Sequence, residues 1–396
     1  MALTNNQTRA AKPRESLVLI LAFASVWVAY GAAVAPHGRS TDFRYLYTGA
    51  SLALHWDWSH MYIEGGQSAR GQESVPERHS PITFNRPPVY AIIVSPLALM
   101  PFPMAFWSWI SAQSAVLVGC WAWAWKRFGP EAAVWGALLS VGPLGIASGQ
   151  DCALFLALLC GAFVLGEKKR WFLCGLVLGL GLTKFHLFLL WPLVLLVQRR
   201  YRLLAGFTVC GLGQGLLSLA VLGWSGVLRY AKFVVHLDRF FSPARYLNIN
   251  AILLNIGVSS LPLLIVLTAL IVGLVLWCCR RTNSLWMTFT LAAAGSLLIS
   301  PHVYGYDATM LLLPAWCVIF LSDFRVAKLA AATICTPITT FAQISGPPLA
   351  GVTALVLIIF VVGVCLESLL NRGRQDMHGG AHFEALARPL AAASEG

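Results

Sequence analysis

Apolar runs separated by short polar breaks recur along nearly the whole chain. They fall near residues 16–34, 103–125, 131–147, 151–166, 171–183, 187–198, 203–222, 261–279, 284–299, 308–322, 329–343 and 349–369. Runs of about 15–20 residues approach the length a helix needs to cross about 30 Å of hydrocarbon. The pattern predicts an all-α polytopic membrane protein with about twelve transmembrane helices. The run at 187–198 is short and is expected to be tilted or broken. A further apolar stretch at 88–100 carries Pro88 and Pro96 and follows Pro87. It is too short and too proline-rich for an ordinary span and reads as a re-entrant or interfacial piece.

Composition agrees with this reading. Of 396 residues, 58% are hydrophobic and 11% charged, and the mean hydropathy is +0.71. A soluble domain would carry about a quarter charged residues. The net charge of +12 does not point to nucleic acid, because the basic residues form no patch with interleaved aromatics. They stand in small groups between apolar runs. With the N-terminus in the cytoplasm, the short loops on that side hold Lys126–Arg127, Lys168–Arg170, Arg199–Arg200 with Arg202, Arg280–Arg281, and Arg325 with Lys328. Together with both termini they take eighteen of the 28 Lys and Arg, as the positive-inside rule requires. Met1 to Arg14 is polar and basic, and the run after it ends without a small-residue cleavage site. It reads as a retained first span of a protein in a bacterial inner membrane, with both termini cytoplasmic. Residues 1–371 are expected to form one domain with an outer loop at 35–102. Residues 372–396 form a Gly-rich, then Ala-rich tail with no assigned chemistry. The ten cysteines are scattered without a C-x-x-C pair, which speaks against disulfide frameworks and zinc sites.

Candidate chemistry lies on the opposite, outer side. Asp42 follows Ser40-Thr41 and opens a stretch (Phe43, Tyr45, Leu46, Leu52, Leu54) that resembles an amphipathic helix along the surface. Two readings stand for it: a catalytic base, or a helix N-cap that satisfies orphan amides. Asp151 and Asp307 also open spans and share that ambiguity. Lys184 and His186 lie between two apolar runs. They are either interfacial anchors or a phosphate contact, for which a lysine point charge and a histidine donor are suited. His302, Tyr304 and Asp307 sit in Ser300-Pro301-His302-Val303-Tyr304-Gly305-Tyr306-Asp307, where Pro and Gly break the helix and free side chains to line a cavity. The loop at 223–250 interleaves basic and aromatic residues, Tyr230, Lys232, Arg245 and Tyr246 among them; two readings stand, a lipid–water interface or a surface that holds a sugar or pyrophosphate. His186 and His302 with Asp42 or Asp151 have no fixed spacing that would support a metal site.

Several short motifs occur in order. They are Asp42-Phe43 with Tyr45 and Tyr47, then Arg86-Pro87-Pro88-Val89-Tyr90, then Ser148-Gly149-Gln150. Lys184, an Asn-containing turn near Asn250, and the Ser300–Asp307 segment follow. Together, over residues from about 40 to 310, they resemble glycosyltransferase family 87, the polyprenol-phosphate-mannose-dependent α-mannosyltransferases of the multi-spanning C type. The chain has Lys184-Phe185-His186 where that family commonly has Lys-Pro, and its Asn loop lacks Asn-Gln-Ser. The resemblance implies an inverting transfer of a sugar, mannose above all, from a polyprenyl-phosphate donor to a lipid or glycan hydroxyl on the outer face. Asp42 would be the base, and His302 with nearby cations would hold the donor phosphate. The substrate-binding set is then Arg44, Tyr45, Arg86, Gln150, Asp151, Lys184, His186, Asn250, His302, Tyr304 and Asp307. No cofactor is required on this reading, although a divalent cation is not ruled out. The rival readings are a secondary transporter, which would place its ionisable groups near mid-membrane, and a lipid-linked glycan ligase or flippase.

Overall fold

The computed structural model describes residues 42–63, 84–236, 242–347, 349 and 351–370. The expected first span at 16–34, Glu64, Asp238 to Phe241 and the tail after 371 lie outside the described residues. All described regular structure is helical.

The described residues open with α1 (Phe43–Leu54), then α2 (Pro88–Val94) and a 3-10 segment (Ser95–Leu99). This pair bends by 120° into α3 (Phe102–Phe128), in keeping with a re-entrant or interfacial piece. There follow α4 (Pro130–Leu138), α5 (Val141–Ala147), α6 (Cys152–Glu167) and α7 (Trp171–Leu180). A 3-10 segment (Gly181–Phe188) extends α7, and α8 (Trp191–Val197) and α9 (Tyr201–Val235) come next. The remainder comprises α10 (Ile249–Asn255), α11 (Leu261–Arg281), α12 (Leu285–Ile299), a 3-10 segment (Gly305–Leu311), α13 (Leu312–Leu321), α14 (Arg325–Ile334) and α15 (Pro337–Ser345). The last described helix is α16 (Gly351–Leu370).

Among the described residues, four helices are long and apolar enough to cross a membrane, or up to six if each of two bent pairs counts as one span. The expected number was about twelve. Part of the difference is length, because the apolar helices Cys152–Glu167, Leu285–Ile299 and Gly305–Leu321 are each shorter than 18 residues; the rest arises where hydropathy continues but the α-helix does not. The 131–147 run breaks into α4 and α5 with a 57° bend, next to Gly142 and Pro143. The 329–343 run breaks at Pro337, and the 308–322 run begins as 3-10 helix after Gly305. The 171–183 run continues through Phe188 as one span. Such breaks survive at membrane depth where other protein or a cavity satisfies the freed backbone groups.

The outer faces of α9 and α11 are mostly unburied and carry exposed Val209, Leu212, Leu216, Ile265 and Leu270. An apolar surface this extensive marks an integral membrane protein. α9 reaches Leu222 as expected, breaks at Gly223 (φ 64°) and then resumes to Val235, so the first part of the 223–250 loop is helical.

α1 corrects the expected surface helix. Ten of its twelve residues are buried, Arg44 among them, and the small polar positions Thr48 and Ser51 allow close neighbours. Phe43 packs against Phe102 and Phe106 at 5.4 and 5.5 Å between ring centroids. The Tyr47 hydroxyl donates to the Met100 carbonyl at 2.7 Å. α1 is therefore clamped onto α3, and the residue that opens it has a fixed address.

Candidate active site

The loops converge on one cavity of about 370 Å³. Its lining includes Asp42, Tyr45, Arg86, Gln150, Asp151, Lys184, His186, His302, Tyr304 and Asp307, and also Phe84, Asn85 and Tyr306. Two members of the expected set do not line it. Arg44 is buried with its guanidinium 5.5 Å from the Tyr45 ring, turned off the cavity by its place on α1. Asn250 lies in the first turn of α10. Its neighbour Asn248 is the buried group there. Asn248 donates to the Ser300 carbonyl at 2.7 Å and caps α10 by accepting from the Ala251 amide at 2.8 Å. The signal for Asn248 was the Ser/Thr/Asp/Asn preference at N-caps, which favours the residue just before the apolar turn.

Gly149 brings the first two groups together. It has φ +84°, and a Cβ there would come within 2.8 Å of the Phe43 amide nitrogen. Only glycine fits such a backbone angle and such an approach. The Trp109 indole donates to the Gly149 carbonyl at 2.9 Å and fixes the turn on α3. Gln150 then reaches Asp42, and its amide donates to the carboxylate at 2.7 Å.

A lysine inside a span supplies the next feature. Lys184 departs from helical geometry (φ −130°, ψ 56°), and this kink turns its side chain inward until only 4% is exposed. There its ammonium pairs with Asp307 and stands 3.5 Å from Asp151. Phe155 and Tyr306 flank it with ring centroids at 5.6 and 5.2 Å. Arg86 completes the group, and one guanidinium nitrogen donates to both Asp151 oxygens at 2.9 and 3.0 Å. The Tyr62 hydroxyl holds the Arg86 carbonyl at 2.5 Å. Two cations and two carboxylates thus neutralise each other in a buried quartet, the condition under which buried charge is tolerated.

The three aspartates have different duties. Asp307 does cap a helix, because its second oxygen accepts from the Tyr304 amide at 2.9 Å. Asp151 makes no capping bond and belongs to the quartet. Burial alone would raise its pKa, but the charges of Arg86 and Lys184 hold it below the usual carboxylate range. Asp42 occupies an N-cap position without capping through its side chain. Its hydrogen-bond partner is the neutral Gln150 amide. Burial raises its pKa above 3.8, against the lowering effects of the Gln150 hydrogen bond and the Lys184, Arg44 and Arg86 charges. Among the described residues, it is the cavity carboxylate without an ion-pair partner.

Two imidazoles close the other side. The His186 and His302 rings meet edge to face with centroids 5.8 Å apart. His302 Nδ1 shares a 2.9 Å hydrogen bond with the Tyr246 hydroxyl. Burial and the nearby Lys184 and Arg86 charges depress the His302 pKa to about 3, so its ring is neutral at pH 7. The buried Nε2 of His186 has no hydrogen-bond partner in the structure. Among the described residues, no three His, Cys, Asp or Glu side chains are grouped so as to hold a metal ion.

The sequence model for glycosyltransferase family 87 matches residues 84–301, more than half of the chain. The chain belongs to glycosyltransferase family 87. It is therefore a membrane glycosyltransferase. No curated protein shows significant similarity to it, nor does any solved structure. The matched stretch contains Arg86, Gln150, Asp151, Lys184 and His186. Asp42 and the segment from His302 to Asp307 lie on its two flanks, and the fold brings both flanks to the cavity that the matched stretch lines.

Beside the cavity lies a second groove of about 210 Å³, lined by Val141, Leu144, Gly145, Arg245, Tyr304 and Tyr306 among others. Tyr304 and Tyr306 form the wall common to both spaces. Arg245, exposed on a 3-10 turn (Pro243–Arg245), has no carboxylate partner among the described residues. The sequence offered little to single it out from the other basic residues of its loop.

Proposed function

We propose that the transferase moves a sugar, mannose on the family resemblance, from a polyprenyl-phosphate donor to the hydroxyl of a lipid or glycan acceptor, with inversion and with Asp42 as general base. The acceptor oxygen attacks the anomeric carbon and its proton passes to Asp42. The carbon–oxygen bond to phosphate breaks, and its electron pair leaves with the polyprenyl phosphate. The observation that carries this reading is the separation of roles among the carboxylates. Asp151 and Asp307 are ion-paired with Arg86 and Lys184, whereas Asp42 faces the cavity with a raised pKa and a partner that only orients it. A base of this kind is better matched to proton abstraction than an ion-paired one.

Charge decides where the donor phosphate goes. With its aspartates ionised and His302 neutral, the cavity holds three negative and two positive side chains, so a phosphodiester set beside Asp42 would be repelled. Arg245 offers the missing cation across the Tyr304–Tyr306 wall, and Val141 and Leu144 give the groove an apolar side for the first isoprene units. The phosphate then lies opposite Asp42, the geometry an inverting displacement needs. His302 and the unpartnered His186 nitrogen serve as donors to the sugar or the leaving oxygen.

The test is transfer by purified protein in liposomes from radiolabelled polyprenyl-phosphate hexoses to candidate lipid acceptors, with and without chelator. The expected result is a covalent glycolipid whose anomeric configuration is opposite to that of the donor. Movement of intact donor across the bilayer without product would instead support a transporter or flippase. Transfer only from preassembled glycans would support a ligase.

A further inference from the structure

A second concavity lies at the other end of α7, away from Lys184. α7 and α9 run parallel and touch backbone to backbone. A Cβ at Gly175 would stand 2.8 Å from the Phe207 nitrogen, and one at Gly206 would stand 2.9 Å from the Leu176 nitrogen. Small residues at such contacts, with Gly175 and Gly179 spaced four apart, are how helices pack closely in lipid. Because the pair is parallel, both N-termini emerge side by side.

Each N-terminus is preceded by a tight turn of the same build, Lys168–Arg170 before α7 and Gln198–Arg200 before α9. In each turn the middle residue is left-handed, Lys169 and Arg199 both at φ 56°. The bonds correspond as well: Arg170 N to Leu165 O at 2.9 Å, and Arg200 N to Leu195 O at 3.0 Å. Glycine or asparagine usually takes that position, and here it holds a lysine and an arginine. Six cations (Lys168, Lys169, Arg170, Arg199, Arg200 and Arg202) therefore share this end. Among the described residues none has a carboxylate partner, and adjacent Glu167 is taken by Arg127 at 2.7 Å.

Arg170 and Arg200 are N-caps, and neither α7 nor α9 has an acidic residue in its first turn. Helix N-termini disfavour cations. By contrast, Lys126–Arg127 and Arg280–Arg281 sit in the last turns of α3 and α11, where the dipole favours them. Membrane orientation accounts for basic residues in all of these turns, Arg325 at the start of α14 included, so what marks a site here is the cavity they line.

The turn before α9, with Trp171 from the start of α7, lines a cavity of about 330 Å³ formed by Trp171, Arg199, Arg200, Tyr201, Arg202 and Leu203. The Arg200 guanidinium lies 5.3 Å from the Trp171 ring centroid; its Nη2 donates to the Asn283 carbonyl at 3.3 Å, and its buried Nη1 has no acceptor among the described residues. From the cavity, an exposed apolar strip of Phe172, Val209, Leu212 and Leu216 runs along the two helices. We propose that this cavity binds the phosphate headgroup of an anionic phospholipid, whose acyl chains lie along that strip. A lipid is favoured over a soluble anion because the strip gives its tail a surface continuous with the charged pocket. Basic pockets between membrane helices suit such headgroups.

The test is native mass spectrometry of the full-length protein, exposed to equal amounts of phosphatidylglycerol and phosphatidylcholine. Wild type is expected to retain phosphatidylglycerol selectively. Arg199→Gln with Arg202→Gln is expected to weaken retention about thirtyfold, and Arg202→Gln alone about fivefold, from the usual contribution of one basic residue near a lipid surface. Arg280→Gln with Arg281→Gln removes equal charge elsewhere and is expected to change nothing. If the double variant misfolds, the single variant decides. Equal losses at both positions, absence of phosphatidylglycerol preference, or displacement of the lipid by millimolar inorganic phosphate would overturn the proposal.

Discussion

Replacing Asp42 with asparagine separates chemistry from architecture. The substitution keeps shape and keeps an oxygen for the Gln150 amide, which now sits 2.7 Å from the carboxylate, so the junction between α1 and the Gly149 turn should persist. It removes the proton acceptor. A positioned general base is worth about 10²–10⁴ in rate, or about 3–5 kcal/mol of barrier. Stability should move the other way. The folded-state pKa of Asp42 is raised, so its stabilising contribution is present below the unfolded value and is lost as pH rises through the folded value. At neutral pH the ionised group is a liability, and Asp42→Asn should melt at the wild-type temperature or slightly above. The assay is labelled-sugar transfer with a thermal melt of the same preparation. In wild type, the acid limb of kcat/KM should fall at a pKa above 3.8, because the base must be deprotonated. Turnover by Asp42→Asn within about threefold of wild type would refute the base assignment, since that is far below the contribution expected of a base.

Other expected outcomes follow from the same geometry. Gly149→Ala should cost most of the activity and lower the melting temperature, because its Cβ meets the Phe43 backbone. A fully active variant would show that the turn does not set the Asp42 position. Lys184→Met leaves Asp307 and Asp151 short of a cation and should destabilise by about 3–5 kcal/mol. Adding Asp307→Asn should recover part of that loss, and strictly additive effects would contradict a direct pair. Arg245→Gln should raise the KM for donor with little change in the KM for acceptor, and a change confined to acceptor would remove Arg245 from the donor side. His302 is buried with its pKa depressed to about 3, against a reference of 6.5. Stability should therefore fall as pH drops below about 6.5, and His302→Gln should flatten that dependence in melts between pH 7 and 4.

Much of the scaffold was legible because lipid imposes a simple rule: apolar length, then basic turns on one side. The same rule placed Asp42, Gln150, Lys184 and His302 on one face, although nothing local required them to meet. What hydropathy could not show is where a helix breaks inside an apolar run, as beside Pro143 and at Pro337, or that Lys184, between two runs, would lie within one continuous span and turn inward to partners distant in sequence. Lys184 and Asp307 lie 123 positions apart, so their pairing has no local signature. The ambiguity between base and cap also needed coordinates. All three aspartates stand at helix starts, Asp42 and Asp151 just before the first residue and Asp307 in the first turn, but Asp307 alone among them caps through its side chain. Arg44 followed its motif neighbour into the expected set, yet it turns off the cavity within α1. Asn85 stood in a polar segment whose composition gave no reason to choose it, whereas Tyr306 lay within the Ser300–Asp307 motif without a role of its own, and Arg245 was one of several basic residues in a loop suited to a sugar or pyrophosphate.

The most direct measurement is a structure of the transferase with a non-transferable polyprenyl-phosphate sugar analogue. The sugar is expected in the 370 Å³ cavity, with its anomeric carbon towards Asp42 and its phosphate on the far side, towards Arg245. A sugar bound outside that cavity, or a phosphate on the same side of the ring as Asp42, would contradict an inverting transfer with this carboxylate as base.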